Sequence, residues 1–496
     1  MSLTPKAIYE NLRNKDLDYS SALELLITLI ESTDNNDTIL QSLQILEKIQ
    51  AKDDKVFKLL ENLLVSDSDE LIRNKAASQM KKFFLDKALE PMKWALEHET
   101  SLQCLITVIS TLSEINDEKS RFILMEKLNN LYNQKYKYNL QNSFTTRKIK
   151  LIPTQELADI LINYYFILFL KIRFGYLKYE FDHFGYITKL DLTNVDPQGI
   201  LIIHFLELIS YLKHLEVLDL RFNNIMNISE ISKKLDSIIS LDLGYNRIIN
   251  LPTSIQNLTS LKQLNLKSNR LRSIPQSLGN LKLLQTLNLR NNMLNKIPKS
   301  IKFLKFLENL NLHGNKIDSI EFELPKSIKE LELGWNNFLE VPTAIKSLKS
   351  LESLGMSGNK LKKLPKWISS FPSLKILDLY DNDLLNLPDS IGNLKSLEVL
   401  ILRNNNLLKL PSSFRELKNL KILNLSWNDF SYLPDWIGEL DSLEELNLWG
   451  NQLETLPKSI SSLSHLKILD LNFNKFEHIP QLLRELELKK DLIIKF

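Results

Sequence analysis

Residues 374–407, LKILDLYDNDLLNLPDSIGNLKSLEVLILRNNNL, hold one full period of the chain's dominant pattern and the start of the next. Leu374, Leu377, Leu379, Asn382 and Leu384 return 23 residues later as Leu397, Leu400, Leu402, Asn405 and Leu407. The same L-x-x-L-x-L-x-x-N-x-L, with small apolar exchanges, begins at Leu215, Ile238, Leu261, Leu284, Leu307, Ile328, Leu351, Leu374, Leu397, Leu420, Leu443 and Leu466. Every step is 23 residues except the 21 between Leu307 and Ile328. An accidental apolar pattern drifts in phase over such a distance, whereas units stacked on their neighbours cannot. Each L-x-x-L-x-L reads as a short strand with its leucines inward and the positions beside the central leucine outward, and the stacked strands make one parallel sheet. Asparagine holds the ninth place of all twelve units, from Asn223 to Asn474. An amide that both donates and accepts can satisfy the backbone where each strand turns inward, so these asparagines are framework and not ligands.

The second half of each unit carries a near-constant L-P-x-S-I-x-x-L, as at Leu251-Pro252, Ile274-Pro275, Leu387-Pro388, Leu410-Pro411 and Leu456-Pro457. Proline fixes φ and lacks an N–H, which predicts short turns or single helical turns there. The combined motif resembles the leucine-rich repeat family, in the intracellular 23-residue type of Ras-group scaffold proteins, over about residues 186–496. That resemblance implies an α/β solenoid: a horseshoe with a parallel concave sheet and short convex turns, the concave side binding a protein, with a small GTPase or a signalling phosphatase as the class of partner.

Residues 1–135 lack the asparagine rung and show helical periodicity between Asp, Asn, Ser and Thr clusters. The segments Asp37–Ile49, Asp69–Phe84 and Thr100–Ile115 recur about every 31 residues, each with capping residues at its start. The middle one, with its acidic start, Ile72-Arg73 and Ala76-Ala77, resembles a HEAT-type repeat. Gln41 and Gln103 stand near the arginine's place in the others, which leaves a generic helical-hairpin repeat open. The expected organisation is an all-α helical-hairpin repeat region over 1–135, a linker, capping helix and hairpin over 136–185, and the leucine-rich domain over 186–496. Gln134 to Pro153, with Arg147, Lys148 and Lys150, reads as linker. Ile160 to Leu170 is about half the ~20 apolar residues a spanning helix needs, and reads as a buried helix that seals the first repeat. Asp182-His183-Phe184-Gly185 is the turn of a hairpin whose second strand is Tyr186–Leu192, and Leu492 and Ile494 belong to a truncated last rung.

The chain of 496 residues has 63 basic and 60 acidic side chains, a balance that argues against a general grip on nucleic acid or anionic lipid. Cys104 is the only cysteine, so no intramolecular disulfide exists, and together with an amino terminus lacking an apolar leader this predicts a cytoplasmic protein. No P-loop, G-x-S-x-G, H-E-x-x-H, kinase or EF-hand motif occurs, and one cysteine with seven histidines offers no zinc set, so neither a cofactor nor a metal is expected. Asp381-Asn382-Asp383 reads as a solvated turn around a framework asparagine. Cys104, in SLQCLITVI, reads as core.

The candidate binding residues stand in the two columns after the third leucine position: Arg221, Lys267, Arg290, His313, Tyr380, Arg403 and Trp449 in the first, and Phe222, Tyr245, Trp335, Trp427 and Phe473 in the second. Trp, Tyr and Arg are the residues enriched where binding energy concentrates. Trp335 and Trp449 each neighbour a glycine, which would leave room for a ligand group. Aromatic residues packing along the ladder, merely stabilising the sheet, is the competing reading. Arg221, Arg247, Lys267, Arg270, Arg290 and Lys316 make the first five units basic, and Asp378, Asp381, Asp383 and Asp429 make a later stretch acidic. The short unit should tighten the coil just before Trp335 and could open a pocket there. The function expected is a non-enzymatic scaffold or adaptor. The alternative is an enzyme or effector whose catalytic residues, Cys104 or the cluster Asp67, Asp69 and Glu70, lie in the helical region.

Overall fold

The structure, a computed structural model, describes residues 4–133, 151–175, 177–196, 198, 208–228, 235–478 and 492–496. The chain divides into two compact units, residues 1–190 with 211–215, and 191–210 with 216–496. Most of the linker read at 134–153, including Arg147, Lys148 and Lys150, lies outside the described residues.

The first unit is helical: α1 (Pro5–Asn14), α2 (Tyr19–Ser32), α3 (Asn36–Lys48), α4 (Asp54–Ser66), α5 (Glu70–Phe83), α6 (Leu89–His98), α7 (Leu102–Ile115), α8 (Glu118–Asn133) and α9 (Thr154–Phe174). The three recurring segments are α3, α5 and α7, and they neighbour one another in that order, as do α4 and α6. Asn35 caps α3 through the Thr38 N–H, and Asp69 caps α5 through those of Leu71 and Ile72. At α7 the Ser101 side chain makes no cap; Glu99 accepts the N–H groups of Thr100 and Ser101 instead. Ile72, Ala76 and Ala77 are fully buried where the helices approach.

Between these helices lies a buried ion pair. Arg73 Nε and Nη2 each stand 2.8 Å from one Glu99 oxygen, and Nη1 donates to the Asp67 and Ser68 carbonyls. Burial alone would raise the Glu99 pKa, but the guanidinium and the Ser101 N–H outweigh it and hold the carboxyl at about 2. Cys104 beside it is fully buried, and burial, with the Glu99 charge, pushes its thiol far above the ordinary range. Asp67 accepts the Asp69 N–H, and Asp69 also accepts from Asn36, so both acids are spent on framework bonds.

α9 contains the apolar run Ile160 to Leu170, and among the described residues no helix is long and apolar enough to cross a membrane. Its Asn163 is buried: Nδ2 donates 2.6 Å to the Asp159 carbonyl and Oδ1 accepts the Ile187 N–H at 2.8 Å. That polar residue in an apolar run therefore pins the hairpin of β1 (Lys178–Phe181) and β2 (Ile187–Asp191), whose turn is closed by Asp182 accepting from Phe184 and Tyr186.

The second unit is a parallel sheet in chain order, from β3 (Val217–Asp219) to β15 (Ile493–Lys495). Each strand is three residues long and centred on the second leucine of its unit, and register is preserved throughout: Leu354, Leu377, Leu400 and Leu423 are direct neighbours. The last rung is truncated as expected, Ile494 lying opposite Leu469. On the other side, short 3-10 turns follow the prolines at 252, 275, 298, 342, 365, 388, 411, 434 and 457. Each 23-residue coil so closes around one layer of leucine, isoleucine and phenylalanine, with Phe338, Phe371, Phe414 and Phe430 completely buried.

The ninth-position asparagines join the coils. Nδ2 of Asn382 donates to the Leu379 and Tyr380 carbonyls of its own coil and to Met356 of the coil before, while Oδ1 accepts the Leu361 N–H. The same set recurs from Asn246 to Asn428. The short unit lacks the 3-10 turn and closes with Ser327 Oγ donating to the Leu307 carbonyl. Beside it a hollow of about 530 Å³ opens, lined by Asp318 to Ile320 and Asn337 to Thr343 on the loops leaving the strands; Trp335 does not line it.

Candidate protein-binding face

Three-residue strands leave the unit's third and fifth positions, either side of the buried leucine, as the true outward surface of the sheet. The columns singled out from the sequence, at positions seven and eight, follow at the strand ends. Position five is mostly Asp or Asn, and its side-chain oxygen accepts the N–H two residues on: Asp219 from Arg221, Asn265 from Lys267, Asn288 from Arg290, Asp378 from Tyr380, Asn447 from Trp449. This side-chain turn ends the strand. Glu332, Gly355 and Ile401 interrupt the column.

Position eight is left-handed in every unit. Phe222, Tyr245, Trp335, Trp427 and Phe473 have φ of 60°, 54°, 51°, 54° and 56°. The conformation lets the position-eight N–H reach the next coil, as Trp335 does to the Ser357 carbonyl at 2.6 Å and Trp427 to that of Trp449 at 2.7 Å. An aromatic residue held so costs about 1 kcal/mol relative to a glycine. Glycine does occupy position eight at Gly314, Gly358 and Gly450.

The glycines do not leave room for a ligand, contrary to the sequence reading. The Trp335 indole covers Gly358 and that of Trp427 covers Gly450, where a β-carbon would meet the rings at 2.6 and 3.2 Å. Gly334 is closed by His313 and Ser357. The rings are nonetheless accessible: Trp335 and Trp427 are 49% and 47% exposed, and Phe473 is 77% exposed.

Charge is organised differently in the two halves. At position two, Glu308, Lys329, Glu352, Lys375, Glu398, Lys421, Glu444 and Lys467 alternate over eight successive coils, each lysine pairing with the glutamate before it at 3.1, 2.8, 2.7 and 2.6 Å. That edge is charge-balanced. Arg221, counted in the basic stretch, is also neutralised, by Asp219 at 2.6 Å and Asp242 at 3.6 Å. Among the described residues, Arg247, Lys267, Arg270, Arg290 and Lys316 make no ion pair. Phe222 and Tyr245 stack at 4.4 Å, with the Lys267 ammonium 5.1 Å from the Tyr245 ring.

Mid-face, the Glu332 side chain lies across Gly355 toward Asp378. Burial, then the Asp378 charge, pushes Glu332 up to about 7, and burial raises Asp378 as well. His313 is lowered by burial and by Arg290.

The later rungs are apolar. Position three changes from Ser240, Gln263, Thr286, Asn309, Glu330 and Ser353 to Ile376, Val399, Ile422 and, past Glu445, Ile468. Beside that stripe the Arg403 guanidinium lies 5.7 Å from the Tyr380 ring and 5.4 Å from that of Trp449, and Trp449 makes edge contacts with Trp427 at 5.4 Å and Phe473 at 5.9 Å. Arg403 Nε and Trp449 Nε1 are enclosed and, among the described residues, have no hydrogen-bond partner. The structure thus gathers Tyr380, Arg403, Trp427, Trp449 and Phe473 into one group, and sets Phe222, Tyr245 and Lys267 in another. The stripe at positions three and five was missed from sequence, although its letters flank the leucine that centres each strand. On the convex side Trp436 packs on Phe414 and Trp367 on Phe371.

Comparison with known proteins agrees with this geometry. The family model described as "Leucine rich repeat" matches residues 213–271, 260–317 and 326–384, and that described as "Leucine-rich repeat region" matches 366–485. No curated protein matches the chain. Among solved structures, the LRR protein LIC12759 of Leptospira interrogans is 33% identical over 58% of this chain and 86% of its own, with a TM-score of 0.46. An internalin, inlF, of Listeria monocytogenes is 25% identical over 62% and 86%, with a TM-score of 0.52. The PEPR1-AtPEP1 structure is 29% identical over 64% and 46%, with a TM-score of 0.50.

Proposed function

The chain belongs to the leucine-rich repeat proteins, and from that premise we propose that its curved sheet captures a protein partner, anchored on Tyr380, Arg403, Trp427, Trp449 and Phe473. The observation that carries this reading is the exposed aromatic group itself: Trp427 and Phe473 are 47% and 77% exposed around Trp449, and the Arg403 guanidinium is held against the Tyr380 and Trp449 rings. Exposed aromatic rings with an arginine fixed beside them are the kind of group in which binding energy concentrates. Trp335, His313 and Arg290 extend the surface, and Arg221, Phe222, Tyr245 and Lys267 border its other end.

The role is that of a non-enzymatic scaffold or adaptor. Cys104, Asp67 and Asp69 are committed to core packing and helix capping, which speaks against a catalytic helical region. The succession of α3, α5 and α7 supports a HEAT-like repeat there, offering a second surface. The 23-residue Ras-group pattern points to a small GTPase or signalling phosphatase as partner, and the single, buried, unpaired cysteine to a cytoplasmic setting.

The test uses the intact protein as bait beside a Trp427→Ala/Trp449→Ala variant of unchanged circular dichroism. A captured protein that binds the variant roughly 100-fold more weakly supports the reading. Equal affinity for both baits rejects it.

A further inference from the structure

We infer that the first five rungs form a dock for an acidic, extended segment of a partner protein, a proposal that rests on the sheet being a protein-binding face. On the sheet, the four lysines of the position-two ladder each have a glutamate, and Arg221 has two aspartates. Among the described residues Arg247, Lys267, Arg270 and Lys316 make no ion pair, and Arg290 acts on Glu332, two coils on, without reaching ion-pair distance.

For Lys267 and Arg290 the cause lies in position five. Strand termination there needs only a side-chain oxygen, which Asp and Asn supply equally. Beneath Arg221 the residues are Asp219 and Asp242; beneath Lys267, Arg290 and His313 they are Asn265, Asn288 and Asn311, whose oxygens already accept the backbone N–H groups. The exchange of acid for amide keeps the turn and removes the carboxylate from directly beneath Lys267 and Arg290.

These cations frame one surface. Arg247 and Arg270 stand on neighbouring coils at the rim of an open hollow of about 470 Å³, whose lining includes Phe222, Tyr245, Ser268 and Asn291. Lys267 reaches over the Tyr245 ring, its ammonium 5.1 Å from the centroid. Arg247, Arg270 and Lys316 are exposed. Five rungs about 4.8 Å apart span roughly 19 Å, the length of about six extended residues. A segment with several carboxylates laid across the rungs meets a cation on most of them. Complementarity of this kind sets orientation and association rate more than affinity.

The experiment measures fluorescence anisotropy of a labelled decaglutamate peptide with the full-length protein at low and high salt. Alongside run a labelled twelve-nucleotide oligothymidylate and phosphatidylserine-containing vesicles. Two variants accompany the native chain: Arg247→Glu/Lys267→Glu/Arg270→Glu on the dock, and Lys299→Glu/Lys305→Glu/Lys326→Glu on exposed positions of the opposite side. Salt-sensitive peptide binding, weakened roughly tenfold or more by the first variant and retained by the second, is the expected result. No peptide binding, or equal loss in both variants, overturns the proposal. Tighter binding of the oligonucleotide or the vesicles than of the peptide also overturns it, in favour of those ligands. If a natural partner is lost from the Trp427→Ala/Trp449→Ala bait but retained by the charge-reversed one, the acidic dock fails while the protein-binding reading stands.

Discussion

The indole of Trp335 lies flat against Gly358 one coil further on, so closely that a β-carbon at 358 would sit 2.6 Å from the ring. Gly358 also has φ of +61°, so two separate constraints exclude a side chain there. Gly358→Ala is expected to lower stability by about 2 kcal/mol, part from the left-handed backbone and part from the displaced ring. In denaturant unfolding, the additional loss on adding Gly358→Ala to Trp335→Ala should be smaller than the loss it causes alone. Strict additivity would mean that the ring and the glycine are not coupled.

Asn382 makes three donor contacts and accepts one more, all buried except the partly buried one to the Tyr380 carbonyl. Asn382→Leu strands the Leu361 N–H and removes one of two donors from the Met356, Leu379 and Tyr380 carbonyls, which keep Asn359, Asn405 and the Gly358 N–H, for a loss of about 2 kcal/mol. Asn406→Ala, on the exposed turn, should change stability by no more than about 0.5 kcal/mol. The contrast between asparagines of two successive coils, read by urea midpoint, tests the framework role.

Glu332 is held protonated by burial and by Asp378, with its folded pKa at about 7 against an unfolded value of 4.5. The folded state therefore retains a proton that the unfolded state gives up. The stabilising contribution of the group is complete below the unfolded value and is lost as pH rises through about 7. Glu332→Gln should accordingly gain about 2 kcal/mol on the native chain at pH 8 and nothing at pH 4. Parallel pH profiles for the two proteins would refute the assignment.

Arg73 and Glu99 make the opposite case. Glu99 is depressed to about 2, so its contribution is present above the ordinary carboxylate range and disappears only as pH falls through about 2. Removing the arginine leaves a buried carboxylate alone, at a cost of about 3–5 kcal/mol. The neighbouring Cys104, the chain's sole thiol, reports the event: a thiol reagent reaches it only when the helical unit opens. Arg73→Ala should accelerate labelling roughly 100-fold or more if opening equilibrates before reaction. An unchanged rate would place the ion pair outside the stability of that unit.

The coils were legible from sequence because Asn223 to Asn474 and their leucines do the same work in every unit, so period and structure coincide. The helices α3, α5 and α7 were legible from capping residues and apolar spacing. The surface was less so. Trp335 and Trp427 adopt a left-handed backbone that no local propensity of tryptophan predicts; the register of the next coil imposes it. The space beside the glycines was misjudged because the side chain that fills it comes from the adjacent coil, 23 residues back. Arg221 looked like its basic neighbours until Asp219 and Asp242 were seen beneath it. The alternation from Glu308 to Lys467 escaped a reading made one unit at a time, since it repeats only every second unit.

That alternation bears on how such a chain can change its length. Excising or copying a single coil between Lys329 and Lys467 would set lysine beside lysine or glutamate beside glutamate across neighbouring strands. Excising the 46 residues that separate Lys375 from Lys421 restores every opposite-sign neighbour. In this stretch the heritable module is a doublet, and the horseshoe can lengthen or shorten by twos without a mismatch at the splice.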